Sequence, residues 1–278
     1  MDTIVSIVIP SLNQAAYLEE TIQSVLRQDY RSIEIIVMDG NSSDGSQDII
    51  RKYERNIAIW KSEPDTGQSE AINKGFRLAR GNIFAWLNSD DLIAPSAVKL
   101  AVSFLTSDPQ IGLVYGDRVH IDQKGNIIGI NRCPPFYNDM LSRNITIPQE
   151  TAFFRREVFE GTGGLDENLH FSMDYDLWCK FQRISKFRHV PAFMGFYREH
   201  VRSKSIVFSH ENRSDSRKFL NEHQTVFMKH FQKKLPDPLH AKFYRITHKL
   251  REQINRRSIA HRQDVQRIQS IIHDDQRL

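Results

Sequence analysis

Hydrophobic residues in the first hundred positions form short continuous runs that alternate with stretches where they recur every three or four residues. This pattern predicts strands and helices in turn. Residues 4–9 and 33–38 are short apolar runs of the strand type, and residues 17–27 place their apolar side chains on one helical stripe. Further helices are predicted at 46–54, 69–79 and 95–105, with strands at 57–60 and up to Asn88. Strands that are apolar on both faces predict an α/β fold, a mostly parallel sheet flanked by helices.

The pattern becomes less regular beyond residue 110. Two strands, LVYGDRVHI and NIIGI, are predicted to pair through the turn 122–126, because its KGN core is a hairpin signal. Residues 134–205 mix aromatic residues with turns and are assigned to the second half of the same domain. Apolar residues then recur at spacings of three and four at Leu239, Phe243, Ile246, Leu250 and Ile254. The opposite side of the same predicted helix is basic, which makes the C-terminal helix amphipathic; its basic residues are Lys242, Arg245, Lys249 and Arg256.

Composition is that of a soluble globular protein, with 40% hydrophobic and 26% charged residues among 278. No apolar run approaches the roughly 20 residues that span a bilayer, and the N-terminus does not resemble a signal peptide, so a cytoplasmic location is expected. Cys133 and Cys179 are far apart and lack metal-ligand spacing. Reduced thiols without a functional role are therefore expected.

The net charge of +4 conceals an asymmetry along the chain. Residues 1–200 carry 21 Lys and Arg against 26 Asp and Glu, whereas residues 201–278 carry 17 against 8. Such a basic segment could contact anionic lipid or an acidic subunit, or could be a solvated helix face. Nucleic acid is not expected as a partner, because aromatic residues are sparse there and no recognition motif accompanies the charge.

Acidic residues follow several of the predicted parallel strands. The loops PSLNQ, DGNSSDGS, SEPDTGQSE and NSDD come after the first four strands, and the carboxyl ends of parallel strands meet at one edge, where ligands bind. These loops contain Asp39, Asp44, Asp65, Glu70, Asp90 and Asp91. So many carboxylates would repel a bare phosphate, which predicts a divalent cation between them and the ligand. Neither GxGxxG nor a P-loop follows the first strand, which argues against a dinucleotide dehydrogenase and a P-loop NTPase.

Six stretches occur in the order found in family 2 glycosyltransferases: SIVIPSLNQAAYLEETIQSVLRQ, EIIVMDGNSSDGS, SEPDTGQSEAINKG, GNIFAWLNSDD, GGLDENLHFSMDYDLW and YREHVRSKS. The resemblance covers about the first 205 residues. It implies a GT-A fold with a Rossmann-like sheet, a nucleotide-diphospho-sugar donor, Mg²⁺ or Mn²⁺, and transfer with inversion. On this basis residues 1–110 are the nucleotide-sugar-binding half, 111–210 the acceptor-binding half, and 211–278 a basic helical extension.

The resemblance also implies roles for individual residues. Asp39 is expected beside the base or ribose, and further donor contacts are implied for Pro10, Ser11, Asn13, Asn41, Asp65, Gly67 and Asn73. Asp91 is expected to contact the metal directly and Asp90 to face the ribose or diphosphate. Asp174 is the implied general base. His200 and Ser203 match a motif that closes over the diphosphate, with His200 as a further metal ligand, and residues 163–166 are expected to shape the acceptor side.

The sequence departs from the common family pattern at three positions: Gly40, Ile72 and Met173 stand where many members have Asp, Arg and an acidic residue. Structural interpretations also remain open. Asp90 or Asp91 could cap the helix near Pro95, Asp39 and Asp44 could form turns, Asp174 could cap its own helix, and Asp176 is a competing base. Trp86 and Trp178 are expected in the core.

The preferred interpretation is an inverting, metal-dependent glycosyltransferase. It would move a sugar from a nucleotide donor, preferably a UDP-sugar, to a hydroxyl of a glycan or lipid-linked acceptor in cell-surface polysaccharide synthesis. The C-terminal helix would contact the membrane that carries the acceptor, and an oligomer is left open. The alternative is a nucleotide-sugar-binding module without turnover, which the three departures suggest.

Overall fold

Strands and helices alternate through the first half of the chain, as the hydrophobic pattern predicts. The computed structural model describes residues 3–137, 139–201, 203 and 213–233, so the stripe 239–254 lies outside the described residues. The strands are β1 Val5–Ser11, β2 Ile33–Asp39, β3 Ile59–Ser62, β4 Ile83–Trp86, β5 Leu92–Ile93, β6 Ile111–Asp122, β7 Ile127–Asn131, β8 Phe153–Arg155 and β9 Lys186–Glu199. The helices are α1 Leu18–Leu26, α2 Ser46–Lys52, α3 Gln68–Leu78, α4 Ala97–Ser107, α5 Arg156–Gly161, α6 Met173–Phe181 and α7 Arg213–Phe231. Within these described ranges, no helix is long and apolar enough to cross a membrane.

The strands form one sheet in the order β3-β2-β1-β4-β8-β6-β9-β5, with β7 paired to β6. The first four strands are mutually parallel where they pair, as predicted. Beyond them β8 is antiparallel to both β4 and β6, whereas β9 runs parallel to β6. The sheet is therefore mixed: the pairings among β1 to β4 and between β6 and β9 are parallel, and those that involve β5, β7 and β8 are antiparallel.

Helices cover both faces of the sheet. Ile7 belongs to one buried cluster together with residues of α1, α2 and α4, while the adjacent Val8 belongs to a second cluster with residues of α3 and α6. A Cβ atom on Gly75 would lie 2.6 Å from Val8 Cγ1, so a glycine here lets α3 lie directly on β1. Trp86 and Trp178 are buried and stack with ring centroids 5.6 Å apart, which confirms their expected place in the core.

The second half of the domain contains both a confirmed and an unforeseen feature. The predicted hairpin is present, because β6 and β7 pair in an antiparallel manner around a turn in which Asp122 Oδ1 accepts the N–H groups of Lys124 and Asn126. The irregular segment 134–205 contains a strand of 14 residues, β9, which the sequence pattern did not predict. Its register against β6 shifts three times, and these irregularities break the alternation by which a strand is recognised.

Both cysteines lie in the core. Cys133 and Cys179 are buried free thiols, as the sequence predicts. Burial raises the pKa of each thiol to about 12, so both stay protonated at neutral pH.

Candidate active site

The carboxyl ends of β1 to β4 meet at one edge of the sheet, where the sequence predicts the site. In the strand register Ser11 lies opposite Asp39, and Asp39 lies opposite Ser62. Asp39 is 2% exposed, and its carboxylate accepts hydrogen bonds from Ser42 N–H at 2.9 Å, Ser42 Oγ–H at 2.5 Å and Ser62 Oγ–H at 2.6 Å. Asp39 thus forms the turn after β2, and its contact with a ligand stays a prediction.

The loops after β1 and β2 are tied to each other. The Asn13 N–H donates to Ser42 Oγ at 2.8 Å, and both Asn13 and Asn41 adopt left-handed backbone conformations, with φ of 53° and 65°. Pro10 and Ser11 are buried at the end of β1. Within the described residues Ser11 Oγ has no hydrogen-bond partner, so it is a polar atom that a bound molecule could satisfy.

Asp65 fills the space beside Gly40. A Cβ atom at position 40 would lie 2.8 Å from Asp65 Oδ2, so the glycine is what allows this carboxylate to approach β2. Burial, together with the charges of Glu70 and Asp39, raises the pKa of Asp65 despite a hydrogen bond from the Gly67 N–H. Asp39 and Asp65 are therefore neighbouring acidic groups. A side chain in place of Gly40 would displace the Asp65 carboxylate.

Some of the predicted site residues are engaged within the protein. Asn73 donates to Leu165 O at 2.9 Å and accepts the Leu165 N–H at 3.1 Å, so it holds the loop 163–166, and its expected donor contact stays a prediction. Asp44 accepts the N–H groups of Ala15 and Ser46, which confirms its interpretation as a turn former. Glu70 similarly closes its own loop through the N–H and hydroxyl of Thr66, at 2.6 Å each.

Asp91 closes the turn 88–91 after β4, in which its N–H donates to Asn88 O at 3.1 Å. It is 1% exposed, and its carboxylate accepts the Arg198 N–H at 2.9 Å and the Asn88 side-chain amide at 3.2 Å. Thr21 Oγ–H donates to Asp91 O at 2.8 Å, and Arg198 Nε–H donates to the carbonyl of the preceding residue at 2.9 Å. Burial, with the charges of Asp90 and Glu150, raises the pKa of Asp91 well above its usual value.

Asp90 is more accessible than Asp91 and faces a histidine. Asp90 Oδ2 lies 2.9 Å from His200 Nε2, and their side chains are 17% and 3% exposed. The His200 ring centroid lies 4.7 Å from that of Tyr17, and the His200 backbone N–H donates to Ser203 Oγ at 3.1 Å. Because α4 begins only at Ala97, neither Asp90 nor Asp91 caps it.

The acidic turn fits a divalent cation that shares its ligands with a substrate. Among the described residues no three His, Cys, Asp or Glu side chains form an assembled metal cage. Mg²⁺ commonly binds one or two carboxylates and completes its coordination shell with substrate phosphates. Mn²⁺ also prefers oxygen ligands to imidazole. Asp90 offers a more accessible carboxylate beside His200, whereas both Asp91 oxygens accept hydrogen bonds within the protein. The direct metal contact expected of Asp91 stays a prediction, and the more accessible carboxylate of Asp90 is the alternative ligand of this turn.

Asp174 lies in the first turn of α6 and is partly exposed. Burial raises its pKa to about 6, although the Tyr175 N–H and the charge of Arg118 act to lower it. The competing candidate, Asp176, is fully buried and pairs with Lys180 at 2.7 Å and His230 at 2.7 Å, and these contacts hold its pKa below the usual value despite burial. Among the described residues these contacts leave Asp174 as the candidate of the two whose carboxylate is not held in ion pairs, and its role as general base stays a prediction.

A buried ion pair that the sequence did not reveal acts on both the Asp90–Asp91 turn and α6 through its charges. Arg118 in β6 binds Glu150 with two hydrogen bonds, at 2.5 and 2.6 Å, and Glu150 is 1% exposed along its side chain. The charges of both residues affect the pKa values of Asp91 and Asp174. An arginine inside the apolar run LVYGDRVHI was the available signal, because a buried guanidinium requires a partner.

Short contacts join the separate loops to one another. Gln68 at the start of α3 donates to Asn88 Oδ1 at 2.6 Å, and Asn88 in turn binds Asp91. Next to Gln68, Ser69 Oγ lies 2.9 Å from the sulfur of Met173, the residue before Asp174. The donor-side loops, the Asp90–Asp91 turn and the first turn of α6 are thus connected around a common edge of the sheet.

Two comparisons of structure agree on the architecture. The crystal structure of S. aureus TarS 1–349 with UDP-GlcNAc is similar with a TM-score of 0.62 and 16% identity, over 80% of this chain and 65% of that chain. The mannosyltransferase PcManGT from Pyrobaculum calidifontis, in complex with GDP-Man and Mn²⁺, has a TM-score of 0.63 and 22% identity, over 88% of this chain and 70% of that chain. The fold is therefore of the GT-A type.

Sequence comparison assigns the family. An uncharacterized glycosyltransferase of Rickettsia typhi is 33% identical over 190 residues, 66% of this chain and 59% of that protein. The chondroitin synthase of Escherichia coli is 28% identical over 67% of this chain but only 28% of its own length, so the chain spans about three fifths or less of these relatives. The profile of glycosyl transferase family 2 matches residues 6–163, more than half of the chain, and the protein therefore belongs to this family.

Proposed function

We propose that the protein is an inverting glycosyltransferase that transfers a sugar from a nucleotide-diphospho-sugar to an acceptor hydroxyl. The observation that carries this proposal is the chain of contacts Gln68–Asn88–Asp91 and Ser69–Met173, which links the loops of the Asp39–Asp65 pair, the Asp90–His200 pair and the partly exposed Asp174. Each part corresponds to one requirement of the reaction: a donor site, a site for a cation at the diphosphate, and a base for the acceptor.

The donor is proposed to carry a nucleoside diphosphate, with a UDP-sugar preferred. Among proteins of the same fold, TarS was crystallised with UDP-GlcNAc and PcManGT with GDP-Man and Mn²⁺. A polysaccharide or lipid-linked acceptor, used in cell-surface polysaccharide synthesis, is supported by sequence similarity to a chondroitin synthase and a hyaluronan synthase. The donor half 1–110 and the acceptor half 111–210 remain our proposed division of the domain, and membrane contact through residues 211–278 remains a prediction.

Asp90 and His200 would hold the divalent cation, with Asp91 and Arg198 fixing the turn behind them. When bound, the cation supplies Lewis-acid neutralisation of the charge that develops on the leaving diphosphate. Asp39 and Asp65 would face the nucleoside, beside the buried hydroxyl of Ser11. The chain thus separates nucleoside recognition from charge neutralisation.

Asp174 would accept the proton of the acceptor hydroxyl as its oxygen attacks the anomeric carbon. The bond between that carbon and the diphosphate breaks as the new glycosidic bond forms, and the nucleoside diphosphate leaves from the opposite face. The proton on Asp174 then passes to solvent. One base suffices for this single displacement, and inversion follows from attack opposite the leaving group.

The departures that suggested a module without turnover have structural explanations. Ile72 is fully buried in the core, so position 72 does not face the site. The Met173 sulfur accepts a hydrogen bond from Ser69, and Gly40 provides the space that Asp65 occupies. None of the three removes the base or the proposed cation ligands, which supports an active enzyme over the non-catalytic alternative.

The rate is expected to fall below about pH 6 because the proposed base must be deprotonated. With a pKa of about 6, half of Asp174 is ionised at that pH, and kcat/KM should decrease about tenfold for each further pH unit. The measurement is a pH–rate profile at constant free Mn²⁺. The residual rate of Asp174→Asn should lack this acidic limb, and a wild-type rate that stayed constant down to pH 5 would contradict the assignment.

Asp90→Asn is expected to lower turnover by about 10²–10³-fold and to abolish Mn²⁺-dependent UDP binding, because it removes a charged cation ligand. A panel of nucleotide sugars with Mn²⁺, assayed for donor hydrolysis and transfer, identifies the donor and tests the function. Isothermal titration calorimetry with UDP then measures the dependence on Mn²⁺. Asp48→Asn is a matched control, because the Asp48 side chain is 81% exposed.

Asp91→Asn distinguishes the two assignments of the metal ligand. We expect this variant to be less stable, because Asp91 anchors the Arg198 backbone, yet to retain Mn²⁺-dependent UDP binding. Loss of that dependence in Asp91→Asn together with its retention in Asp90→Asn would restore the assignment that the family resemblance implies. Absence of any turnover by the wild type across the panel would contradict the proposed function.

A further inference from the structure

Helix α7, which follows the family-matched region, packs against the start of α6 and makes specific polar contacts there. The family profile ends at residue 163, whereas α7 spans Arg213–Phe231. Two consecutive residues of α7, Glu222 and His223, reach the segment 170–172 that leads into α6. This segment directly precedes the helical turn that carries Asp174.

Glu222 binds three consecutive backbone N–H groups. Its carboxylate accepts the N–H of His170 at 3.0 Å, of Phe171 at 2.7 Å and of Ser172 at 2.7 Å. Among the described contacts Ser172, the N-cap residue of α6, makes no side-chain capping bond of its own. A carboxylate at this position also interacts favourably with the positive end of the α6 dipole. Glu222 therefore supplies from another helix the anchoring that the chain before α6 lacks locally.

His223 fixes the same segment through its side chain. Its Nδ1 lies 3.1 Å from Ser172 Oγ, and its Nε2 lies 2.6 Å from Asn144 Oδ1. Because the Asn144 oxygen can only accept, His223 carries its proton on Nε2 and accepts the Ser172 hydroxyl at Nδ1. Burial lowers the pKa of His223, which keeps the ring in this neutral form.

The opposite side of the segment rests on the donor half. Ser69 Oγ–H, in the first turn of α3, lies 3.0 Å from Leu169 O, and the ring of His170 lies beside Gly67. Residues 169–172 are thus held between α3, which belongs to the donor side, and α7. Their position sets where α6 begins, and hence where Asp174 stands relative to the donor.

We infer that Glu222 and His223 are positioning residues for Asp174, so that α7 is a necessary part of the acceptor side of the active site. This inference rests on the proposed role of Asp174 as general base. Glu222 fixes the backbone before α6, and His223 fixes the Ser172 side chain against the turn at Asn144. Neither residue touches the reacting atoms.

The test compares full-length Glu222→Ala and Glu222→Gln with Asn221→Ala, an exposed neighbour in the same helix. Glu222→Ala should lower kcat by about 10–100-fold with little change in donor KM, because the donor site stays intact while the base moves. Glu222→Gln keeps an acceptor oxygen and should fall between Glu222→Ala and the wild type. The acidic limb of the pH–rate profile should also shift in Glu222→Ala, which a purely global loss of stability would not produce.

Hydrogen exchange provides a readout that needs no activity. The amides of residues 170–172 should exchange faster in Glu222→Ala than in the wild type, and at the wild-type rate in Asn221→Ala. Exchange in β1 and β2 should be the same in all three proteins. Equal exchange in all three proteins overturns the inference, as does a Glu222→Ala enzyme with the kcat and pH profile of Asn221→Ala. A wild type that binds UDP without turning over any donor contradicts the proposed function instead, and the exchange result alone then decides whether Glu222 holds this segment.

Discussion

Asp174→Asn is expected to lower kcat by about 10²–10⁴-fold, the contribution that a positioned general base typically makes. Donor KM and Mn²⁺-dependent UDP binding should remain close to the wild-type values, because the substitution keeps the shape of the side chain and lies on the acceptor side. Steady-state kinetics with a saturating acceptor separate the two quantities. Asp176→Asn is not a suitable control, since Asp176 balances the charges of Lys180 and Lys229 inside the protein.

The same variant should be no less stable than the wild type at pH 8. The folded state raises the carboxyl pKa from 3.8 to about 6, so folding favours the protonated form. The associated stabilisation is fully present below pH 3.8 and is lost as the pH rises through 6, which leaves an ionised, partly desolvated group at pH 8. Replacing it with a neutral amide should raise the free energy of unfolding by on the order of 1–3 kcal/mol. A large loss of thermal stability together with inactivity would show that Asp174 is structural.

Arg118→Met is expected to destabilise the fold by about 3–5 kcal/mol, because it leaves the carboxylate of Glu150 buried and without its partner. Urea unfolding monitored by circular dichroism measures this loss as a lower midpoint. The variant should also move the acidic limb of the rate profile upward, since the positive charge of Arg118 lowers the pKa of Asp174.

The double variant Arg118→Met/Glu150→Leu is the matched control for this ion pair. Removing both charges together should restore most of the stability, because no buried charge is then left without a partner. If both single and double variants unfold at the wild-type midpoint, the pair does not contribute to stability. If the double variant regains stability but not activity, the pair acts on the reaction through its effect on the charges of Asp91 and Asp174.

Much of the donor side could be predicted from the sequence because its signals are local. Each of the first four strands is a continuous apolar run, and the polar residues that follow, such as Asp39 and Asp90, necessarily lie at the same sheet edge. The hairpin between β6 and β7 was likewise encoded in a short turn. These features depend on neighbours within a few residues of the chain.

The remaining features depend on partners distant in sequence. Arg118 meets Glu150 only because β6 and the turn before β8 are brought together, and Arg198 reaches Asp91 across 107 positions. Which of two adjacent aspartates stays accessible is decided by this long-range anchoring, so the sequence could locate the Asp90–Asp91 turn but could not assign its roles. The contact between the Asn73 amide and Leu165 could not be predicted for the same reason, because the two residues lie 92 positions apart.

The stacked indole rings of Trp86 and Trp178 offer an optical reporter of the catalytic geometry. One ring ends the strand that leads to the acidic turn, and the other lies one helical turn beyond Asp174. At a centroid separation of 5.6 Å and an interplanar angle of 20°, their transitions couple, so near-ultraviolet circular dichroism is sensitive to any relative shift between strand and helix. Any shift between β4 and α6 on substrate binding can thus be followed without a label.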